Sequence, residues 1–93
     1  MMDDADVFIK KVLLYQRSAT LILLFSASVS KLESNVVAVD AMGETIWRSP
    51  NHLGMCRDIQ KISENELLVQ YDGGQEIIYH VSEESVKIYS DKN

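Results

Sequence analysis

The sequence is poor in the residues on which the chemistry of small domains usually rests. Its 93 residues hold one cysteine (Cys56), one proline (Pro50), two histidines and four glycines. A single cysteine excludes an intramolecular disulfide and a thiolate metal cluster. Secreted domains of this size are usually stapled by disulfides, so the expected setting is a reducing, cytoplasmic one. The glycines form no phosphate cradle, because no Lys-Ser or Lys-Thr follows Gly73-Gly74. Basic residues are also in the minority, nine against fourteen acids, giving a formal charge of −5. That field opposes nonspecific binding to nucleic acid or an anionic membrane and suits a basic protein partner. The basic residues Lys10, Lys11, Arg17, Lys31, Arg48 and Arg57 are dispersed and form no stripe. No hydrophobic run is long enough to span a bilayer as a helix. The longest candidate, Leu21-Ile22-Leu23-Leu24-Phe25, lies between Arg17 and Lys31 and runs into Ser26, Ser28 and Ser30. As a signal peptide it fares no better, since Asp3, Asp4 and Asp6 precede Lys10 and Lys11. A buried strand is the simpler reading.

What is present is the composition of an ordinary globule: 46% apolar residues and 25% charged. A chain of this size buries about 60–65% of the surface its unfolded form exposes. One domain, residues 1–93, with one modest core is therefore expected. The acids gather late. From Glu64 onward stand Glu64, Glu66, Asp72, Glu76, Glu83, Glu84 and Asp91, against only Lys87 and Lys92.

Almost all of the chain reads as strand. Residues 7–16 alternate between two faces, and β-branched and aromatic residues recur with no apolar stripe at helical spacing. After a turn at 17–19, residues 20–26 are apolar on both faces, which predicts a central strand or one covered on both sides. Residues 35–40 and 45–48 follow as strands, joined by a turn in which Gly43 supplies a positive φ. Pro50, Asn51 and Gly54 break the pattern, because proline denies the ladder a donor. Further strands are predicted at 56–62, 67–71, 75–81 and 86–89. Asp72-Gly73-Gly74 is the sharpest hairpin signal among them.

The second half repeats the plan of the first. Residues 11–15 and 21–25 answer to 57–61 and 67–71 at an offset of 46, while 36–39 and 46–47 answer to 77–80 and 87–88 at 41. The repeat is one of pattern and not of residue identity. Two units, 7–48 and 56–90, joined by a loop at 49–55, would each supply four strands. The expected fold class is all-β: two four-stranded antiparallel units forming a small sandwich, a flattened barrel or a partial propeller. Whichever closure is used, apolar faces and open edges must be covered.

At Asn35-Val36-Val37-Ala38-Val39-Asp40-Ala41-Met42-Gly43-Glu44-Thr45-Ile46-Trp47-Arg48 the sequence resembles the blade motif of quinoprotein-type (PQQ-like) β-propellers. That motif has an apolar strand, an Asp, a turn ending in Gly and a polar residue, then a strand carrying Trp. The resemblance implies that Asp40 and Gly43 shape a hairpin and that Trp47 docks against a neighbouring blade. It covers 14 residues well and the second unit badly, for Lys87-Ile88-Tyr89 has no Trp and 82–85 no Gly. It also extends to small bacterial proteins with one or two such units, among them antitoxin-like or immunity proteins. It implies no quinone or metal site, because the family builds those from many blades.

Catalytic and metal readings find little support. His52 and Cys56 stand four apart, but Pro50 and Gly54 make that stretch a loop. A zinc site would need His80 and a carboxylate such as Asp58 to converge on them. A Cys–His nucleophile would need an orienting group and an oxyanion hole. No catalytic, metal or cofactor residues are assigned, and the chain is read as a non-enzyme. Protein binding has better material in Tyr71, Asp72, Gln75, Tyr79, Glu83, Glu84 and Tyr89, which combine amphipathic aromatics with carboxylates. The plainer alternative is that these aromatics pack the second sheet and the acids solvate it. Trp47 is expected in the core, with docking of another subunit as its rival role. The reading is a small acidic protein-binding module, an inhibitor or immunity-type protein for a basic partner. The alternative is a self-assembling β module that forms a homo-oligomer.

Overall fold

The structure is a computed structural model that describes residues 7–27, 34–82 and 88–90. Eight strands follow in order: β1 Ile9–Tyr15, β2 Thr20–Phe25, β3 Val36–Val39, β4 Thr45–Arg48, β5 Cys56–Ser63, β6 Glu66–Tyr71, β7 Glu76–Val81 and β8 Ile88–Ser90. Each pairs antiparallel with the next inside its own half, so two four-stranded meanders result, β1-β2-β3-β4 (sheet 1) and β5-β6-β7-β8 (sheet 2). Among the described residues no strand joins one sheet to the other. The flattened barrel is therefore not formed; the chain is two separate antiparallel sheets that share one core.

Local sequence explains the turns. Asp40 Oδ1 accepts from the N–H groups of Met42 and Glu44, both at 2.9 Å, and Gly43 stands at φ +82°. An Asp side chain that satisfies the turn's own donors, followed by a residue free to take positive φ, sets the β3–β4 register. At the β6–β7 hairpin Gly74 (φ +97°) donates to the carbonyl of Tyr71 at 2.9 Å. Pro50 starts a single 3-10 turn over Asn51–Leu53, which carries the chain from one sheet to the other.

The core follows from strand alternation. Tyr15, Ile22, Leu24, Val36 and Ala38 of sheet 1 are buried against Ile59, Leu67, Val69, Tyr71, Tyr79 and Val81 of sheet 2. Trp47 reaches across to Tyr79 in an edge-to-face contact, ring centroids 4.9 Å apart at 64°, a geometry that aromatic quadrupoles favour. A bulge at β3–β4 lets both Ile46 and Trp47 pack against this core.

Polar ties cross between the sheets. Asn35, 2% exposed, donates through Nδ2 to the carbonyls of Phe25 (3.1 Å) and Cys56 (2.9 Å) and accepts from Cys56 N–H at 2.8 Å. One amide thus satisfies three backbone groups and binds β2 to the start of β5. Tyr15 donates its hydroxyl to the carbonyl of Glu66 at 2.5 Å. Lys11 Nζ donates to the carbonyl of Ile59 at 2.7 Å and pairs with Asp58 at 3.2 Å. Lys61 Nζ donates to the carbonyl of Leu14 at 3.0 Å, lies over the Tyr15 ring and pairs with Glu64.

The strands correspond between halves, but the 46-residue offset needs one correction. Leu13 pairs with Ile22, and Ile59 pairs with Val69. Leu13 maps onto Ile59 at 46, whereas Ile22 maps onto Val69 at 47. An offset of 46 over β2 matches exposed Leu21 with buried Leu67. A shift of one residue exchanges the faces of a strand.

Candidate interaction surface

The rows of sheet 1 that turn away from the core are almost wholly apolar. Cross-strand pairing defines them. Leu14 pairs with Leu21, Leu21 with Val39, and Val39 with Thr45. Val12 pairs with Leu23, Leu23 with Val37, and Val37 with Arg48. Ile9 pairs with Phe25. Arg48 is the one charged side chain among the paired residues, Lys10 stands exposed at the β1 bulge between Ile9 and Val12, and none of the rows carries a carboxylate. Val12 and Leu14 are 49% and 48% exposed, with Ile9 similar and Leu21 less so. Single exposed apolar side chains are ordinary on any protein. Contiguous rows of them are not.

The face has relief. On β1 the side chains of Ile9, Val12 and Leu14 are about half exposed. Beside it Leu23, Phe25, Val37, Val39, Thr45 and Arg48 line an open groove of about 240 Å³. Val37, at the centre, is buried among its neighbours. Strands of seven, six, four and four residues, rising about 3.3 Å per residue and spaced about 4.8 Å apart, give the face roughly 330 Å². Apolar patches of that size on small proteins are frequently functional.

The corresponding rows of sheet 2 are mixed. Gln60, Leu68 and Ile78 pair in one row, Gln70 and Glu76 in the next, and Glu66 with His80 in a third. Gln70 Nε2 donates to Glu76 at 2.8 Å, so two polar side chains satisfy each other across the strands. Ile62 and Ile78 are exposed apolar residues set among these polar ones.

Of the residues read from sequence as a binding cluster, those described divide between the core and the β6–β7 turn. Tyr71 and Tyr79 point inward: their exposures are 0% and 4%, and their hydroxyls share a hydrogen bond of 2.8 Å. Both lie in the inner rows of sheet 2, so surface aromatics is corrected to core aromatics. Burial, then the hydrogen bond to Tyr79, pushes the Tyr71 hydroxyl well above its ordinary value, and burial raises Tyr79 and Tyr15 as well. Asp72 and Gln75 are exposed at the β6–β7 turn, where Asp72 N–H donates to the carbonyl of Met55 at 2.9 Å. Glu83 and Glu84 lie outside the described residues. Tyr89 is placed by its backbone alone, opposite His80.

The candidate chemical groups are scattered too. His52 is exposed on the 3-10 turn, and His80 pairs with Glu66 in the ladder of sheet 2. Cys56 is buried, and desolvation pushes its thiol up to about 11, so the nucleophilic thiolate is scarce at neutral pH. Among the described residues no three His, Cys, Asp or Glu side chains are grouped so as to hold a metal. Among them, too, no helix is long and apolar enough to cross a membrane; the run Leu21–Phe25 lies inside β2.

No protein-family model, curated protein or solved structure matches this chain.

Proposed function

We propose that this protein acts by binding another protein chain, and that it docks through the outer face of sheet 1. The observation that carries the reading is the unbroken set of apolar rows across β1, β2 and β3, with Val12 and Leu14 half exposed. Covering those rows removes apolar surface from water at about 25 cal/mol per Å², which is the main driving force of protein association. Interface cores are depleted in charge, and so is this face. The occupant is accordingly a protein that presents apolar surface of its own.

Two roles raised by the sequence are versions of this reading. An inhibitor or immunity-type protein would place the face against a foreign target, with the −5 charge drawing in a basic one. A self-assembling β module would place it against another copy. Blade-like stacking, as the Asn35–Arg48 resemblance implies, is one form such assembly takes.

A charge placed in the rows tests the reading. Immobilised wild-type protein and Leu21→Glu, each shown to be folded by circular dichroism, are compared for the proteins they retain from their native extract, further copies of the chain included. The expected result is a stoichiometric protein held by the wild type and lost by the variant. Equal retention by both would contradict the reading.

A further inference from the structure

Resting on the reading of this face as a docking surface, we infer that the segment it receives is an extended apolar stretch of a partner protein that carries a carboxylate, and that this carboxylate pairs with Arg48. Side-chain length lays out the groove. Val37 and Val39 on β3 are short, and they lie between Leu23 and Phe25 on β2 and Thr45 and Arg48 on β4. The groove therefore follows β3. Its two ends differ in charge. Val39 and Thr45 lead into the β3–β4 turn, which carries Asp40 and Glu44. At the other end Phe25 pairs with Ile9, beside Lys10 on one edge strand, and Arg48 ends the opposite edge strand. Lys10 and Arg48 are both exposed, and neither has an ion-pair partner among the described residues.

Desolvation decides what fills this shape. A purely apolar occupant would strip water from the Arg48 guanidinium and leave a cation covered and unpaired, which opposes binding. A carboxylate placed there replaces the lost water with charge-assisted hydrogen bonds, for which the guanidinium fork is suited. The acids of the second sheet do not cancel this. Glu66 and Glu76 belong to the outer rows of sheet 2, beyond an inter-sheet spacing of about 10 Å, more than the Debye length of about 8 Å at physiological salt. The charge of −5 describes the chain, and the cationic end describes the face.

Spacing sets the form of the occupant. Side chains on one side of an extended chain recur about every 6.6 Å, as those of Val37 and Val39 do on β3. Two alternate apolar residues of the partner therefore lie over Val39 and Val37. An acid one step further comes level with Phe25, whose N–H meets the Asn35 carbonyl, and within reach of Arg48. The reverse direction would set the acid against Asp40 and Glu44. Taken out of its protein, so short a segment binds weakly, with a Kd of roughly 1 mM.

NMR titration of the full chain, read at the methyls of Leu23, Val37 and Val39, tests this with three acetylated and amidated hexapeptides. They are Ser-Leu-Ser-Val-Ser-Glu and the same sequence ending in Gln or in Lys. The Glu peptide is expected to shift these methyls with a Kd of roughly 1 mM, the Gln peptide to bind about threefold more weakly and the Lys peptide more weakly still. The preference should shrink as salt rises from about 20 mM to about 500 mM. In Arg48→Glu the order is expected to reverse, with Lys ahead of Glu. Should that variant fail to fold, Arg48→Gln is expected to bind the three peptides equally. Ile78→Glu, on the outer face of sheet 2, leaves the wild-type order unchanged. Equal affinity of wild type for all three, an order indifferent to the Arg48 variants, or no shift with any peptide would each overturn the inference. Any of these, with a foreign protein still lost by Leu21→Glu, overturns the carboxylate pairing alone. Any of these together with equal retention by wild type and Leu21→Glu would end the docking reading as well.

Discussion

Two sheets with the same strand order and the same meander differ in what they show to water. Both bury one face in a common core, through Ile22, Leu24 and Val36 on one side and Leu67, Val69 and Tyr79 on the other. Turned outward, sheet 2 alternates Gln60, Gln70 and Glu76 with Leu68 and Ile78, whereas sheet 1 repeats Val12, Leu14, Leu21 and Leu23. An antiparallel sheet with one solvated face normally reads apolar in and polar out. Sheet 2 obeys that rule. Sheet 1 breaks it over three strands. The lesson is that the inner faces carry the common core, while the outer face of sheet 1 is apolar in a way that the outer face of sheet 2 is not.

The most forceful way to break the comparison is to cut the same strand on its two faces. Ile22→Ala removes a fully buried side chain of β2 and is expected to cost about 3–4 kcal/mol in urea unfolding. Leu21→Ala, one residue away but 36% exposed, is expected to cost about 1 kcal/mol in the same experiment. Equal losses would show that the two faces of sheet 1 are not distinct in the free chain.

Next in size is the joint between the sheets. Asn35→Leu strips three backbone groups of their partner and is expected to cost about 2–3 kcal/mol. It should also speed amide exchange at Cys56, whose N–H now meets Asn35 Oδ1. A loss below about 0.5 kcal/mol would mean that the sheets are held by apolar contact alone.

Alkaline pH sharpens the contrast between inside and outside. Cys56, Tyr15, Tyr71 and Tyr79 all have folded pKa values above their ordinary ones, chiefly through burial. The unfolded chain therefore releases its protons first, and stability present at neutral pH declines as pH rises. The decline begins near 9 with the Cys56 thiol and continues through about 11, with the tyrosines adding from 10 upward. Absorbance at 295 nm should show Tyr15, Tyr71 and Tyr79 ionising only with unfolding. Smooth titration of all four tyrosines near pH 10 in the folded protein would show that the inner faces are open to water.

The smallest effect belongs to the rim. The Lys11–Asp58 pair joins β1 to β5 with both side chains 39% exposed. Lys11→Met is expected to cost at most about 1 kcal/mol, since the salt bridge is screened and the stem can still pack.

Much of the fold was legible because strand alternation and turn chemistry are local. All eight strands fall within a few residues of the predicted segments, and Asp40 with Gly43 and Asp72 with Gly74 mark hairpins that form. What alternation could not assign was a face. In β2 the apolar residues occupy both sides, so nothing in Leu21–Phe25 says which side is covered. The same ambiguity hid the one-residue slip between β2 and β6, visible only when Ile22 and Val69 are found at equivalent places. Tyr71 and Tyr79 misled for a related reason: an amphipathic side chain suits either a surface or a core, and the register turned these two inward. Asn35 carried no signal at all, because a three-way amide clamp depends on β5 arriving beside it from 21 residues away. Val12 and Leu14 were visible as half of an alternating strand. That their side faces outward follows only from the burial of Leu13 and Tyr15 against the second sheet.

The central claim is that the outer rows of sheet 1 are covered in the working protein and those of sheet 2 are not. Methyl NMR with a soluble paramagnetic agent measures this directly, by comparing Val12, Leu14 and Leu21 with Ile62 and Ile78 before and after the retained protein is added. The account expects the methyls of sheet 1 to become shielded from the agent in the complex while those of Ile62 and Ile78 stay broadened. Uniform broadening of both sets in the free chain and in the complex would contradict it.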